Sequence, residues 1–281
     1  MNYGASPFGG IPPVVKNLLI INAIFFFASI VAVNSFGIRI EDYLGLHVPM
    51  AEKFKAYQLI TYMFLHDYRG IMHIFFNMFA LFMFGRMLEV VWGPKRFLVF
   101  YFVTGIGAAL VHLLTQYIEI LPVLKAITHY MNNASHENLS LFLDDHLQIR
   151  SLDMKRKFDA FAASYNSLVN SDPQAAIGLS REYLYSYRID FLNNHITVGA
   201  SGAVFGILLA FGMLFPETRL MLLFPPIPIK AKYFVIIYGV AELFLGVANF
   251  SFDNVAHFAH LGGMLFGFIL IKYWQKKGIH Y

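Results

Sequence analysis

A serine between small residues, Gly199-Ala200-Ser201-Gly202, opens an apolar run that continues to Phe215. A second apolar run, Val255 to Trp274, carries His260 beside Gly262 and Gly263. A serine hydroxyl becomes a useful nucleophile when a base takes its proton, and imidazole is the usual base. Polar side chains are costly in hydrocarbon, so a serine and a histidine inside segments that read as membrane helices point to function. The chemistry they offer is serine hydrolysis within a bilayer. Gly199 and Gly202 permit a tight turn and close backbone approach. Ser201 is then expected at or near a helix start, where free N–H groups and the positive end of the dipole favour an oxyanion. The same residues also fit a plain packing seam, because Gly202 and Gly206 keep the small-xxx-small spacing of close-packed membrane helices.

Other polar residues could complete such a site. His257 lies three residues before His260 on roughly the same helix face, so by position either could be the base. The adjoining glycines favour His260. His73 and Asn77 stand four apart and share one face of another apolar segment. With the Ser201 N–H they would make an oxyanion hole, and they would serve equally as an interhelical polar clamp. Phe205, one turn after Ser201, is placed to support an imidazole ring. Glu242 lies mid-segment and is expected to bond a neighbouring backbone or to be protonated, with no catalytic part. The histidine spacings match no metal motif such as H-E-x-x-H, and no metal or other cofactor is expected.

These residues must be positioned by membrane helices. The 281 residues are 58% hydrophobic and only 14% charged, where a soluble domain would carry about 25% charged residues. There are no cysteines, which excludes disulfides and thiolate metal sites. Six segments approach the roughly 20 residues a span requires: Val14 to Phe36, Gly70 to Val91, Arg96 to Tyr117, Val198 to Phe215, Ala231 to Phe250 and Val255 to Tyr273. The chain therefore divides into a tail (1–13), three helices (14–117), an insertion (118–197), three helices (198–275) and a second tail (276–281). The N-terminus lacks the basic start and cleavage site of a signal peptide, so the first span is expected to be retained.

Lys16, the Arg86/Lys95/Arg96 group, the Arg219/Lys230/Lys232 group and the Lys272/Lys276/Lys277 group all fall at one end of their helices. The positive-inside rule makes that side, and both termini, cytoplasmic. The insertion from Ile118 to Thr197 then faces outward. It is polar, yet Phe158, Phe161, Ala162, Tyr165, Leu168 and Val169 recur at helical spacing. Asn170-Ser171-Asp172-Pro173 should end that helix, and a second is expected over Leu179 to Leu192. Either a helical hairpin packing on itself or on the membrane surface, or a lid that screens substrates, fits this pattern. No phosphate loop or basic stripe suggests nucleic acid.

Together, Gly199-Ala200-Ser201-Gly202 with Gly206, Ala259-His260 with Gly263, and His73-x-x-x-Asn77 resemble the rhomboid intramembrane serine proteases. Trp92-Gly-Pro-Lys-Arg-Phe97 is similar to that family's second-to-third connection. The resemblance implies a six-helix all-α bundle in a multi-pass membrane protein, expected in a bacterial inner membrane. It implies a Ser201–His260 dyad with no acidic third member, and an oxyanion hole from Ser201 N–H, His73 and Asn77. It also implies a water-filled cavity open to the outside, and single-span membrane proteins as substrates. The family's fifth helix and the loop before its sixth act as gate and cap, here Ala231 to Phe250 and Ser251 to Asn254. Two features depart from it. The Ile118 to Thr197 insertion is far longer than the family's usual connection. His66 stands seven residues before His73 rather than five, and receives no role. The alternative reading is a catalytically inactive relative that binds membrane proteins.

Overall fold

The structure, a computed structural model, describes residues 10–221, 227–248 and 256–278. It contains two compact units. The first is built from Met1–Leu46, Ala56–His112 and Thr197–Tyr281, the second from His47–Lys55 and Leu113–Ile196. The expected cap Ser251 to Asn254, most of the first tail and half of the second lie outside the described residues.

The first unit begins with α1, Pro13–Phe36. Its core-facing side is unusual for a soluble helix, because Asn22 and Ser29 are buried while Ile20, Ile24, Phe27 and Val31 are exposed. Polar atoms turned inward and aliphatic ones outward are the pattern for a lipid solvent. Asn22 Nδ2 donates to Leu18 O at 2.7 Å and Ser29 Oγ to Phe25 O at 2.9 Å, so both side chains are tied to their own helix. The second helix, α2, runs from Ile71 to Trp92 and passes through a π-helical turn at Leu81–Gly85. Near its end the buried Glu89 carboxylate accepts the N–H groups of Val14 and Val15 at 2.9 and 2.7 Å. A negative group on the open N–H groups of α1 satisfies two otherwise orphaned donors and complements the helix dipole.

The third helix, α3, departs from expectation. It runs from Pro94 to Asn132, 39 residues, where the apolar pattern predicts an end near Tyr117. At 1.5 Å per residue it is about 58 Å long, roughly twice a hydrocarbon core. Its portion up to His112 belongs to the first unit and the remainder to the second. Hydropathy marks where the solvent changes, and a helix need not stop there.

The first unit resumes with α7, Ser201–Leu214, then α8, Ala231–Ala248, and α9, His257–Lys276. Between α7 and α8, β1 (Arg219–Met221) pairs antiparallel with β2 (Pro228–Lys230). Lys230 and Lys232 both reach Glu217, and these hydrogen bonds hold its carboxyl at about 2.

Six spanning segments were expected, and four described helices are long and apolar enough to cross by themselves: α1, α2, α3 and α8. The other two are helices of a different kind. With 14 residues, α7 reaches only about 21 Å, and most of it is buried among neighbours, where a short helix is sheltered. In α9 the two histidines, three glycines and Lys272 dilute the apolar content.

The second unit holds the last part of α3 and three further helices, α4 (His136–Asp145), α5 (Leu152–Leu168) and α6 (Pro173–Asn193). Side-chain oxygens of Ser135, Ser151 and Asp172 accept from the N–H three residues on and start each helix. The expected helices near Phe158 to Val169 and Leu179 to Leu192 are thus longer than their apolar faces. Phe161 and Tyr183 stack with centroids 4.1 Å apart, and Tyr130 Oη bonds Ser180 Oγ in the same core. The unit also takes in His47–Lys55, with Lys53 N donating to Asn193 Oδ1 at 3.2 Å. This unit therefore begins at Leu113, before the expected 118–197 insertion, ends at Ile196, and adds the separate segment His47–Lys55.

Candidate active site

The site lies in the first unit, where α7, α8, α9 and the start of α2 meet. Gly199 sits at φ 137°, in the region that favours glycine. A Cβ there would also come within 3.2 Å of the His73 ring and 3.5 Å of Ser201 Oγ. The Ser201 hydroxyl and the His73 imidazole therefore border one small volume, and Gly199 leaves it open. Its N–H donates to Tyr62 O at 3.0 Å, and Tyr62 Oη donates to Gly105 O at 2.7 Å. This chain of bonds ties the turn before the serine to α3. Thr197, two residues earlier, is bonded to His112 Nε2 of α3 at 2.7 Å.

Ser201 is the first residue of α7, and no side chain caps that helix start. The first-turn N–H groups lack intrahelical partners, which leaves a positive, donor-rich end beside the hydroxyl. Ser201 is half-exposed, and Gly202 and Ala203 behind it are buried.

Next to α7 runs α9, in backbone contact. A Cβ on Gly263 would lie 1.8 Å from Gly202 O, and one on Gly202 would lie 2.4 Å from Ala108 Cβ of α3. No other residue type permits this approach. It brings Phe205, one turn along from Ser201, flat against His260, with centroids 4.0 Å apart and planes 6° apart. Tyr238 of α8 also packs against Phe205, with ring centroids 5.4 Å apart. The imidazole is thus held against the helix that Ser201 opens, by a helix pair that glycine makes possible.

His73 and Asn77 occupy the first two turns of α2, Asn77 buried and His73 half-buried. Asn77 Nδ2 donates to His73 O at 3.0 Å, which spends one amide N–H and leaves the other. His66, whose spacing from His73 departs from the family's, is buried with its ring 5.0 Å from that of His73. Neither of its nitrogens has a hydrogen-bond partner among the described residues. Burial and the nearby His73 imidazole push its pKa down to about 3.

The largest difference from expectation is Glu242. It bonds no backbone group among the described residues; Oε2 contacts Nδ1 of His260 at 2.8 Å and Nδ1 of His257 at 2.7 Å. All three residues are buried. Their donor atoms lie within 4.8 Å of one another, close enough to surround a metal ion. Each Nδ1 is already engaged by the carboxylate, so the cluster is complete as a hydrogen-bonded network. A carboxylate at i on one helix facing histidines at j and j+3 on the next carries no sequence motif. The clue was that a buried acid in an apolar segment needs a partner.

A family model described as the Rhomboid domain matches residues 53–120 and 174–276. The unmatched stretch between them covers the end of α3, α4 and α5. Over 89 residues the chain is 35% identical to an uncharacterized mitochondrial rhomboid protein of Schizosaccharomyces pombe; this is 30% of the chain but only 22% of that relative. With the family model covering well over half of its residues, and with several apolar helices to hold the matched segments in a membrane, the chain belongs to the rhomboid family.

Proposed function

We propose that this protein is an intramembrane serine endopeptidase that cuts single-span membrane proteins in or near their spans. The observation that carries the reading is the α7–α9 contact: Ser201 opens one helix, Phe205 stacks on His260 of the other, and Gly202 and Gly263 remove the space between them. In this reading all six helices cross the bilayer, with α7 sheltered inside the bundle and both termini on the cytoplasmic side.

His260, neutral at rest, takes the Ser201 proton through Nε2 as Oγ attacks the scissile carbonyl. The carbonyl oxygen becomes anionic and is received by the Ser201 N–H, His73 and the free Asn77 N–H. His260 then gives its proton to the leaving amine. A water molecule repeats the cycle on the acyl-enzyme, so the pocket must be hydrated and closed to lipid. No metal or cofactor takes part.

The test is cleavage of a panel of single-span proteins by the purified protein in lipid vesicles, with fluorophosphonate labelling in parallel. Ser201→Ala fits its small-residue surroundings and should fold. It should retain less than a tenth of the rate, a barrier increase above about 1.4 kcal/mol. His260→Ala should be as inactive. An intact chain that neither labels nor cleaves, but captures the same membrane proteins as Ser201→Ala, would identify a binding protein instead.

A further inference from the structure

We infer that Glu242 is a positioning residue that completes a Ser201–His260–Glu242 relay, with the acid supplied by α8 and the base by α9. The inference rests on the hydrolase reading above, and adds an acidic member to a pair the family resemblance describes as lacking one.

An imidazole has two nitrogens. A neutral ring carries its proton on one of them, and the partner of the other nitrogen decides which. To accept the Ser201 proton, His260 must present a bare Nε2, so its proton must reside on Nδ1. An ionised carboxylate can only accept. Glu242 Oε2, 2.8 Å from His260 Nδ1, selects that tautomer. The stack on Phe205 fixes the plane of the ring, and the carboxylate fixes its rotation within that plane. When Nε2 gains the proton, the ring becomes a cation directly bonded to an anion. That stabilises the state formed during attack, and a buried acid performs this service in serine hydrolases of other folds.

His257 holds Glu242 from the other side. Its Nδ1 lies 2.7 Å from the same oxygen, so the carboxylate is fixed between two donors one helical turn apart. A structural tie between α8 and α9 would need only one of them. The second donor limits rotation of the carboxylate and shares the cost of burying it. Around His260 stand Glu242 from α8, His257 from its own helix, Phe205 from α7, and the imidazoles of His73 and His112 within electrostatic range. Tyr238 lies near Glu242 on α8. Glu242 is the acidic group in this set.

Glu242→Gln keeps the size and loses the charge, and its amide can donate where the carboxylate only accepted. In lipid vesicles kcat should fall about 10²–10⁴-fold with KM little changed, since the analogous loss elsewhere costs about 10⁴. Fluorophosphonate labelling should slow in proportion, and Glu242→Asp should recover part of the rate. A Gln variant with wild-type kcat, or one whose loss of rate only follows its loss of folded protein, would overturn the relay. So would loss of wild-type activity on chelation and its return with zinc, which would make the cluster a metal site. Nitrogen-15 histidine spectra of the wild type give a reading independent of any variant. The expected signature is a protonated Nδ1 and bare Nε2 on His260, and the opposite tautomer would sink the inference. Activity surviving in Ser201→Ala or His260→Ala would instead refute the hydrolase reading itself.

Discussion

The two units of this chain solve the packing problem in different solvents. In the first, glycines allow the closest contacts: Gly263 on the Gly202 backbone, Gly262 on the Ala108 backbone, Gly206 on the Thr104 side chain. In the second, large aromatic rings do the work, with Phe161 on Tyr183, Phe142 on Tyr187 and Tyr187 on Phe191. The surfaces differ in the same sense. Helix α8 exposes Ile236, Val240, Phe244 and Val247, whereas α5 exposes Lys157 paired to Asp153 and Asp190 at 3.0 and 2.7 Å. Lipid is as apolar as a helix surface, so burying side chains gains little there and helices associate by fit and hydrogen bonds. Water rewards burial of aromatic area. The catalytic candidates lie in the unit held by fit, where a small shift of one helix displaces them.

The sharpest way to break this comparison is Gly263→Ala. One methyl group would face Gly202 O at 1.8 Å, and both groups belong to packed helices. The α7–α9 pair must separate, taking Phe205 away from His260. Cleavage and fluorophosphonate labelling should both fall to background, even in preparations that remain folded by thermal unfolding. Wild-type labelling would show that the contact is softer than the fit argument requires.

The matching lesion in the second unit is Phe161→Ala. Removing a buried aromatic typically costs about 3–5 kcal/mol, comparable with the whole stability of a small unit. Protease sites in α5 and α6 should open while Ser201 labelling persists. The same outcome is expected when residues 121–193 are replaced by a short Gly/Ser linker, with rate or selectivity toward protein substrates altered. Labelling lost in a folded chain of either kind would mean that the second unit helps build the site.

What the sequence revealed follows this division. The serine turn was legible because its glycines are demanded by local geometry, φ 137° at Gly199 and the approach at Gly202. The amphipathic helix around Phe161 was legible because water imposes a periodic face. Three features were hidden, each for a physical reason. Glu242 finds its histidines through the relative rotation of α8 and α9, which no short pattern encodes. The 39-residue α3 continues past its apolar stretch, and Pro122, which would suggest a break, is accommodated inside it. His47–Lys55 joins the second unit through contacts more than a hundred residues distant in the chain, such as Lys53 to Asn193.

Acid should separate the units further. His66 is buried without a partner among the described residues, while in the second unit the exposed His136 is bonded to Tyr165 Oη. With the folded pKa of His66 near 3 and the unfolded value at 6.5, the neutral ring is favoured by the fold. Its contribution is fully present above pH 6.5 and is lost as pH falls toward 3. The loss is on the order of a few kcal/mol across that window. Thermal unfolding of the first unit should therefore weaken between pH 7 and pH 5, and His66→Leu should flatten that slope. An unchanged slope would place the acid sensitivity elsewhere.

The smallest effect comes from repeating the glycine substitution where water is the solvent. Gly178 lies inside α6 on its exposed side, and a Cβ there would meet no atom within 4 Å. Its helical backbone is one that alanine prefers. The glycine only adds conformational freedom to the unfolded chain, so Gly178→Ala should stabilise the second unit by about 0.5–1 kcal/mol. Hydrogen exchange of the α6 amides should slow by a few-fold, with cleavage and labelling unchanged. The same methyl group thus inactivates one unit and tightens the other. If Gly178→Ala destabilised α6, that exposed position would be covered in the native protein, and the second unit would have a contact in the membrane or with substrate that its own core does not require.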